Sequence, residues 1–243
     1  MTLQSNPQMT TPAWWGTVDY DDALKRMEAA HSELLSKRAS GAAGYRDQFF
    51  YLEHPPVITY GRATPESELM IGAPGIPRIA VPRGGLATYH APGQLVGYIV
   101  MDLSRRSGAP PDIHAYLRAV EQGLIDFLRA EFQLHATRRA GFTGVWTPPA
   151  DDGSHPGRKL ASIGVSARKW ITSHGFGLNI HPDMSGFRAI VPCGITDAEM
   201  TSVELELNRA STVFEVKPMQ DWAMRAHEHL AAALRAEGWN NSD

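Results

Sequence analysis

Apolar residues recur at helical spacing in three stretches of the chain, and each stretch carries a helix boundary signal. The first follows Asp19, a residue type that favours the N-cap position. The second spans about residues 112–132. In the third, about residues 218–237, proline stands near the start and Gly238 just past the end, an asymmetry typical of helices. The pattern predicts helices near the start, the middle and the end of the chain.

Short runs rich in aromatic and β-branched residues lie between these predicted helices, and such runs favour β-strands. They cover residues 48–53, 57–60, 143–146, 160–169 and 171–180. Residues 61–82 and 148–157 are rich in glycine and proline and are predicted to form loops. The glycine-dense stretch at 82–102 begins as a turn and runs into an apolar strand.

The order of these elements predicts an α+β fold in which helices pack against a mixed β-sheet. No linker separates two independent units, so a single domain is expected over residues 16–240. Residues 1–15 are polar and interspersed with proline, and they predict a flexible N-terminal tail. At 243 residues the chain is long enough to bury a sizeable core.

Composition and charge narrow the class of partner. The formal net charge of -3 argues against nucleic acid, because phosphate binding needs clustered basic charge. No stretch approaches the roughly 20 apolar residues that cross a bilayer, so no membrane partner is expected. The first sixteen residues hold no Lys or Arg and no continuous apolar run, so no secretory signal or transit peptide is expected. One cysteine alone cannot form an intramolecular disulfide. A reducing, cytoplasmic location is therefore expected.

The one cysteine, Cys193, is the candidate nucleophile. Pro192 restricts the backbone before it and Gly194 frees the backbone after it, which favours a shaped loop. Residues 196–199 are expected to start a helical turn nearby. A thiol with the usual pKa of about 8.5 is only a few per cent thiolate at neutral pH. A cation about 4 Å away supplies on the order of 4 kcal/mol, enough to make the thiolate dominant. The alternative is a small buried apolar side chain.

Lys159 and three histidines are the candidate activators of this thiol. Lys159 precedes a run of small residues, which indicates close approach of a ligand or another backbone. Its alternative role is a solvated side chain leaving a loop. His54, His90 and His174 lie in or beside segments rich in glycine or proline, and a Cys-His pair is a familiar nucleophile arrangement. The residues alone leave the choice of activator open.

The glycine-rich run at residues 83–90 is a candidate ligand loop. Its paired glycines beside an arginine let backbone amides approach an anionic or carbonyl group. Neither a Walker-type lysine nor a Gly-x-Gly-x-x-Gly pattern accompanies it, and a plain turn stays the alternative. No Cys-x-x-Cys or His-Glu-x-x-His pattern is present, so no metal site is expected.

Five motifs, in order along residues 48–203, together resemble the octanoyltransferase family of lipoate biosynthesis. They are Glu-His-Pro-Pro-Val at 53–57, Arg-Gly-Gly-x-x-Thr-Tyr-His-x-Pro-Gly-Gln-Leu-x-x-Tyr at 83–98, Lys-x-x-x-Ile-Gly at 159–164, His-Gly-Phe-x-Leu-Asn at 174–179 and Pro-Cys-Gly-Ile at 192–195. Leu86 stands where the family commonly has a polar residue, and Ala91 replaces a frequent glycine. These departures bear on the shape of the loop and on acyl chain length.

The resemblance implies a fold similar to the biotin and lipoate protein ligases, and a reaction that needs no cofactor and no metal. An octanoyl group would pass from octanoyl-acyl carrier protein to a lysine of a lipoyl domain. Acceptors would be the lipoyl domains of 2-oxoacid dehydrogenase complexes and the glycine cleavage H protein. Cys193 would carry the acyl group as a thioester, and Lys159 would lower the pKa of Cys193 and relay protons.

The same resemblance implies which residues line the acyl pocket. They are Arg83, Gly84, Gly85, Leu86, Ala87, Thr88, Tyr89, His90, Ser162, Ile163, Gly164, Gly175, Phe176 and Gly177, with His54 and His174 as supporting residues. Three other functions stay open. A lipoate or biotin ligase of the same fold uses ATP and needs no cysteine, a binding protein would keep only the pocket, and a hydrolase would pair Cys193 with a histidine.

Overall fold

The structure is a computed structural model that describes residues 12–42, 44–62, 64–65, 75–190 and 199–240. The strands are β1 (Ala13–Thr17), β2 (Gln48–Glu53), β3 (Val57–Tyr60), β4 (Arg78–Ala80), β5 (Thr88–His90), β6 (Gln94–Val100), β7 (Thr137–Arg139), β8 (Phe142–Trp146), β9 (Lys159–Arg168) and β10 (Ile171–Asn179). The α-helices are α1 (Tyr20–Ala39), α2 (Ile113–Phe132), α3 (Val203–Arg209) and α4 (Met219–Ala236). Short 3-10 helices cover Leu103–Arg105 and Met184–Ala189.

The strands form a large mixed sheet and a small one. The seven-stranded sheet has the order β1-β2-β6-β10-β9-β8-β7, and the three-stranded sheet has the order β4-β3-β5. In the large sheet β1 pairs with β2 in parallel and the other pairs are antiparallel. Both edge strands, β1 and β7, shift register against their neighbours.

Helices cover both faces of the large sheet, and the alternation of side chains along β6 separates two apolar cores. Leu95 and Ile99 face a core built with α2 and α4. Val96 and Val100 face the other core, which α1 covers. This alternation follows from the period of two in a strand. The structure confirms the predicted α+β fold, with a mixed sheet packed by helices.

The three predicted helices are present as α1, α2 and α4. At α2, the side chain of Asp112 accepts hydrogen bonds from the backbone of His114 and Ala115, which caps the first turn. Asp19 occupies the N-cap of α1 but makes no side-chain capping bond there. Among the described residues, no helix is both long and apolar enough to span a bilayer.

The structure corrects the sequence prediction at short elements. Residues 13–15, predicted as part of the flexible tail, belong to β1, and residues 78–80, predicted as loop, form β4. Strand β7 and helix α3 were not predicted. These short strands pair through their backbones with a neighbour, and the three residues of β4 or of β7 carry too little alternation to be recognised.

Candidate active site

A slot lies between the glycine-rich run at residues 83–88 and the ladder that β9 forms with β10. Its empty space, the open mouth included, is about 490 Å³, and its surface is mostly apolar. The lining residues are Tyr20, Arg83, Gly85, Leu86, Ala87, Thr88, His90, Val96, Tyr98, Ser162, Ile163, Gly164, His174, Gly175, Phe176 and Gly177. A pocket that is mostly apolar with a few converging polar groups is the usual form of a small-molecule site.

The glycine-rich run forms the roof of the slot and is fixed to the sheet below it. The Gly84 amide donates to the Val165 carbonyl of β9 at 3.1 Å. The Arg83 guanidinium donates to the Leu86 carbonyl at 2.9 Å, which fixes the turn of the run. A Cβ at Gly164 would lie 3.1 Å from the Gly84 carbonyl oxygen, so a larger residue there would push the roof away.

Burial keeps the His90 ring neutral, and the hydrogen bonds of its Nδ1 lead away from the slot. Burial lowers the pKa of His90 to about 3. The Gln94 amide nitrogen donates to Asn179 Oδ1 at 2.8 Å, so Gln94 Oε1 is left to accept from His90 Nδ1 at 2.6 Å. Asn179 Nδ2 donates in turn to the Thr201 carbonyl at 2.9 Å. His90 is therefore uncharged at neutral pH, and its Nδ1 proton is already bound.

His54 lies behind the slot and orients Tyr98. His54 Nδ1 is 2.7 Å from the Val18 carbonyl, which can only accept, so Nδ1 carries the ring proton. Burial lowers the pKa of His54 to about 4, and its free Nε2 accepts from the Tyr98 hydroxyl at 2.8 Å. The hydroxyls of Tyr98 and Tyr20 are also hydrogen-bonded to each other. His54 is thus a supporting residue of the wall.

His174 has a left-handed backbone conformation within β10, with φ 64°. This conformation is uncommon outside glycine and costs on the order of 1–3 kcal/mol. It persists only where the surrounding structure holds the residue in place. The His174 amide donates to Met27 Sδ at 2.9 Å, and its ring meets the edge of Tyr98 at 6.2 Å between centroids. Burial, and then the charge of Arg83, lower the pKa of His174 to about 4. Such strained residues concentrate at functional sites.

Lys159 is buried at the start of β9, with 2% of its surface exposed, so the alternative of a solvated side chain is wrong. Its ammonium lies 5.0 Å from the centre of the Trp146 ring. The Lys159 amide donates to the Glu199 carbonyl at 2.8 Å, and the Thr201 amide donates to the Lys159 carbonyl at 2.9 Å. The segment that follows residue 198 is therefore fixed directly against Lys159.

Gly144 of β8 leaves the space that the Lys159 side chain occupies. A Cβ at Gly144 would lie 2.8 Å from Lys159 Cε and 2.5 Å from the Ala161 carbonyl oxygen, and φ there is 134°. The fully buried carboxylate of Glu121, on α2, accepts the Gly144 amide at 3.0 Å and pairs with Arg138 at 3.0 Å. Helix α2 thereby fixes the wall beside the ammonium.

The structure gathers most of the proposed pocket residues around this one slot. Gly84 and Tyr89 are the exceptions: Gly84 bonds to β9 from the roof, and the Tyr89 ring packs edge-on against Phe187 at 5.3 Å. Cys193 and residues 196–198 lie outside the described residues. Within the described ranges, no group of three or more acidic, histidine or cysteine side chains is arranged to hold a metal ion.

Three lining residues were not predicted from the sequence, namely Tyr20, Val96 and Tyr98. Tyr98 ends the second family motif, and Val96 shares its face of β6, so the strand period could have identified both. Tyr20 is the first residue of α1, and it meets the slot only because α1 packs on the sheet. Its local sequence carries no signal of that role.

The buried neutral histidines are expected to make stability depend on pH. Burial lowers the pKa of His54, His174 and His227 to about 4 and that of His90 to about 3. In the unfolded chain an imidazole takes up a proton near pH 6.5. As the pH falls from about 6.5 to about 4, the unfolded state gains protons that the folded state does not bind, so stability is lost.

Urea unfolding at a series of pH values tests this expectation. The free energy of unfolding should fall across that window by up to about 1.4 kcal/mol per pH unit for each histidine. His227 lies outside the slot and hydrogen-bonds the Tyr51 hydroxyl at 3.1 Å, so His227→Gln keeps a polar partner for Tyr51. In this variant the unfolding free energy should depend less steeply on pH, by the contribution of one histidine. An unchanged pH dependence would contradict the lowered pKa of His227.

Comparison with known proteins gives consistent matches over most of the chain. Residues 19–220 match the lipoyl protein ligase A/B catalytic domain. An octanoyltransferase from Geotalea uraniireducens (strain Rf4) is 43% identical over 202 residues, covering 83% of this chain and 85% of the relative. An octanoyltransferase from Bradyrhizobium sp. (strain ORS 278) is 38% identical over 241 residues, covering 97% of this chain and 94% of the relative.

A solved structure supports the predicted likeness of fold. It comes from an archaeal lipoylation system, a bi-partite lipoate protein ligase and its E2 lipoyl domain from Thermoplasma acidophilum. The TM-score is 0.62 at 18% sequence identity, covering 96% of this chain and 97% of the other. At this identity the likeness concerns the fold, and it confirms the prediction of a fold similar to lipoate protein ligases.

Proposed function

This chain belongs to the lipoyl protein ligase A/B catalytic domain family, and we propose that it transfers an octanoyl group in lipoate biosynthesis. The donor is octanoyl-acyl carrier protein, and the acceptor is a lysine of a lipoyl domain. Cys193 carries the acyl group as a thioester between the two half-reactions, and Lys159 activates it. The octanoyltransferase relatives, at about 40% identity over most of the chain, support the type of reaction.

The observation that carries the proposal is a buried lysine at the start of β9, the same strand that lines a mostly apolar slot at Ser162–Gly164. Val96, Ile163 and Phe176 contribute apolar surface to the slot. Each methylene removed from water contributes roughly 0.8 kcal/mol, so a bound eight-carbon tail gains several kcal/mol. Exclusion of water by the same surface protects a thioester from hydrolysis.

The anchoring of the chain on both sides of residues 191–198 supports the pairing of Lys159 with Cys193. Upstream, Ile190 packs in one cluster with Ala87 of the roof. Downstream, Glu199 bonds to the Lys159 amide at 2.8 Å. Ile190 and Glu199 lie three and six residues from Cys193 in the sequence, and these two anchors support the proposal that Cys193 pairs with Lys159.

The chemistry balances with the groups of this chain alone. In the first half-reaction the Cys193 thiolate attacks the thioester carbonyl, the bond to the pantetheine sulfur breaks, and Lys159 gives a proton to the leaving sulfur. In the second, the neutral amine of the lipoyl lysine attacks the acyl-cysteine and the Cys193 thiolate leaves. Lys159 takes up the proton that the amine loses. One thioester replaces another in the first step, so the proposal requires neither ATP nor a metal.

The proposed partners follow from this reaction. Acceptors are the lipoyl domains of 2-oxoacid dehydrogenase complexes and the H protein of glycine cleavage, which present an exposed lysine. Cytoplasmic conditions suit the mechanism, because a reducing compartment keeps the single cysteine as a free thiol.

Intact-protein mass spectrometry tests the proposal. After incubation with octanoyl-acyl carrier protein, the protein should gain the mass of one octanoyl group, and neutral hydroxylamine should remove it, as it cleaves thioesters. Added lipoyl domain should acquire the group as a stable amide. Cys193→Ala should gain no mass. An adduct that persists in Cys193→Ala, or acylation of the lipoyl domain only with free octanoate and ATP, would contradict the thioester mechanism.

A further inference from the structure

We infer that His174 is the end wall of the acyl slot and sets the longest chain that the slot accepts. This inference rests on the proposed function and deepens it, because it assigns the chain-length limit to one side chain. His174 is the residue that the slot shares with a second cleft. Removing its ring is therefore expected to join the two spaces.

The register of β9 and β10 gives the slot a length that suits an octanoyl group. The ladder beside the slot runs from Ser162 opposite Gly177 to His174 opposite Val165, and His174 is the lining residue of that last pair. Three residue steps along a strand cover about 10 Å. A fully extended polypeptide backbone advances about 3.3–3.6 Å per residue, that is, about 1.2 Å per bond. By the same measure, the seven carbon–carbon bonds of an extended octanoyl chain cover about 8 Å. Lys159 lies before Ser162, so the tail points towards His174.

The slot closes at the pair formed by Val165 and His174 from above and from below. The Gly84 amide of the roof donates to the Val165 carbonyl at 3.1 Å, so the roof is fastened to β9 at this pair. On β10, the ring of His174 stands against Tyr98, which is itself held by His54 at 2.8 Å. An extending acyl chain therefore meets a ring that is buried and packed against Tyr98.

Open space continues on the other side of His174. The second cleft has about 820 Å³ of empty space, its open side included. Ser166 and Ser173 form the next pair of the same ladder, and both line this cleft. The cleft therefore continues the line of the slot, with His174 between them. Arg62 and Arg168 also line it, so it is more polar than the slot.

A competition between donors of different length tests the inference. Wild-type protein and His174→Gly are each given equal amounts of octanoyl-, decanoyl- and dodecanoyl-acyl carrier protein with a lipoyl domain, and the acyl groups on the domain are measured by mass spectrometry. Each methylene that fits into the enlarged slot contributes roughly 0.8 kcal/mol, which corresponds to about a fourfold gain in transfer. We expect the ratio of decanoyl to octanoyl transfer to rise by roughly tenfold or more in His174→Gly.

Three further variants separate an opened wall from a damaged fold. Glycine suits φ 64°, and His174→Asn, which also tolerates a left-handed backbone, should give an intermediate shift. His174→Phe keeps a ring of similar size and should keep the wild-type ratio. Ser211→Gly relieves the same kind of backbone strain, at φ 54° and far along the chain, and should leave the ratio unchanged.

Different results would contradict the end-wall inference and the proposed function. If the wild-type protein transfers octanoyl groups and His174→Gly changes the decanoyl-to-octanoyl ratio by less than twofold, the end-wall inference is wrong. The same holds if His174→Phe shifts the ratio as much as His174→Gly, because loss of the imidazole rather than of the ring's bulk would then be responsible. If the wild-type protein acylates no lipoyl domain from any of the three donors, the proposed function itself is wrong.

Discussion

Replacement of Lys159 by methionine is expected to lower kcat/KM for octanoyl transfer by about 10²–10⁴-fold, the range for loss of an acid–base group. Methionine fills similar space beside Trp146 but has neither a charge nor a proton that it can transfer. Two losses combine in this variant. The Cys193 thiolate loses the cation that favours it, and the leaving thiol and incoming amine lose their proton relay. Single-turnover acylation by octanoyl-acyl carrier protein measures the first loss directly.

The pH dependence of Cys193 alkylation by iodoacetamide distinguishes a lost charge from a disturbed fold. Only the thiolate reacts, so the midpoint of the rate reports the pKa of the thiol. We expect this midpoint to lie below the usual value of about 8.5 in the wild-type protein and to rise in Lys159→Met. Lys169→Met, at an exposed hairpin turn, is the matched control and should behave as wild type. If His90→Ala abolishes acylation while Lys159→Met spares it, a histidine is the activator.

Substitution of Gly144 by alanine is expected to reduce kcat/KM about 10²-fold, although it replaces no reacting group. The added methyl group would lie 2.8 Å from Lys159 Cε and 2.5 Å from the Ala161 carbonyl oxygen, so the ammonium or the strand must move. A displacement of about 1 Å in a catalytic group can cost this much. The overpacking and the strained φ of 134° should also lower the free energy of unfolding, by about 1–3 kcal/mol.

A matched control for this variant lies on the adjoining turn. Gly141 also has a positive φ, 82°, but a Cβ there would meet no atom within 4 Å. Gly141→Ala should therefore lose stability through backbone strain alone and should keep Cys193 alkylation at the wild-type rate. Equal losses of alkylation in Gly141→Ala and Gly144→Ala would show that strain, rather than displacement of Lys159, explains the effect.

The sequence predicts an element well where the residues of that element carry the signal themselves. Strands β2 and β3 have the predicted bounds, and α2 begins directly after its capping residue Asp112. The glycine-rich run was identified as a ligand loop or a turn, and it forms the roof of the slot. In each case the residues that determine the structure lie within the segment itself.

The features that the sequence does not reveal depend on contacts between distant segments. Tyr20 faces the slot through the packing of α1 on the sheet, and His54 acts from behind it through Tyr98. The sequence predicts Gly144 only as part of a strand, yet it borders the side chain of Lys159 across the β8–β9 pair. Such relations follow from strand order and register, which no local period of a single segment encodes.

The irregular edges of the large sheet also bear on how copies of this protein behave in a crowded solution. A regular edge strand offers a row of free amides and carbonyls that can recruit another chain. Here β1 and β7 each shift register, and β7 is three residues long and carries Arg138 and Arg139. Short, charged and kinked edges oppose strand addition. These edge strands therefore oppose aggregation of the protein through strand pairing between the sheets of different copies.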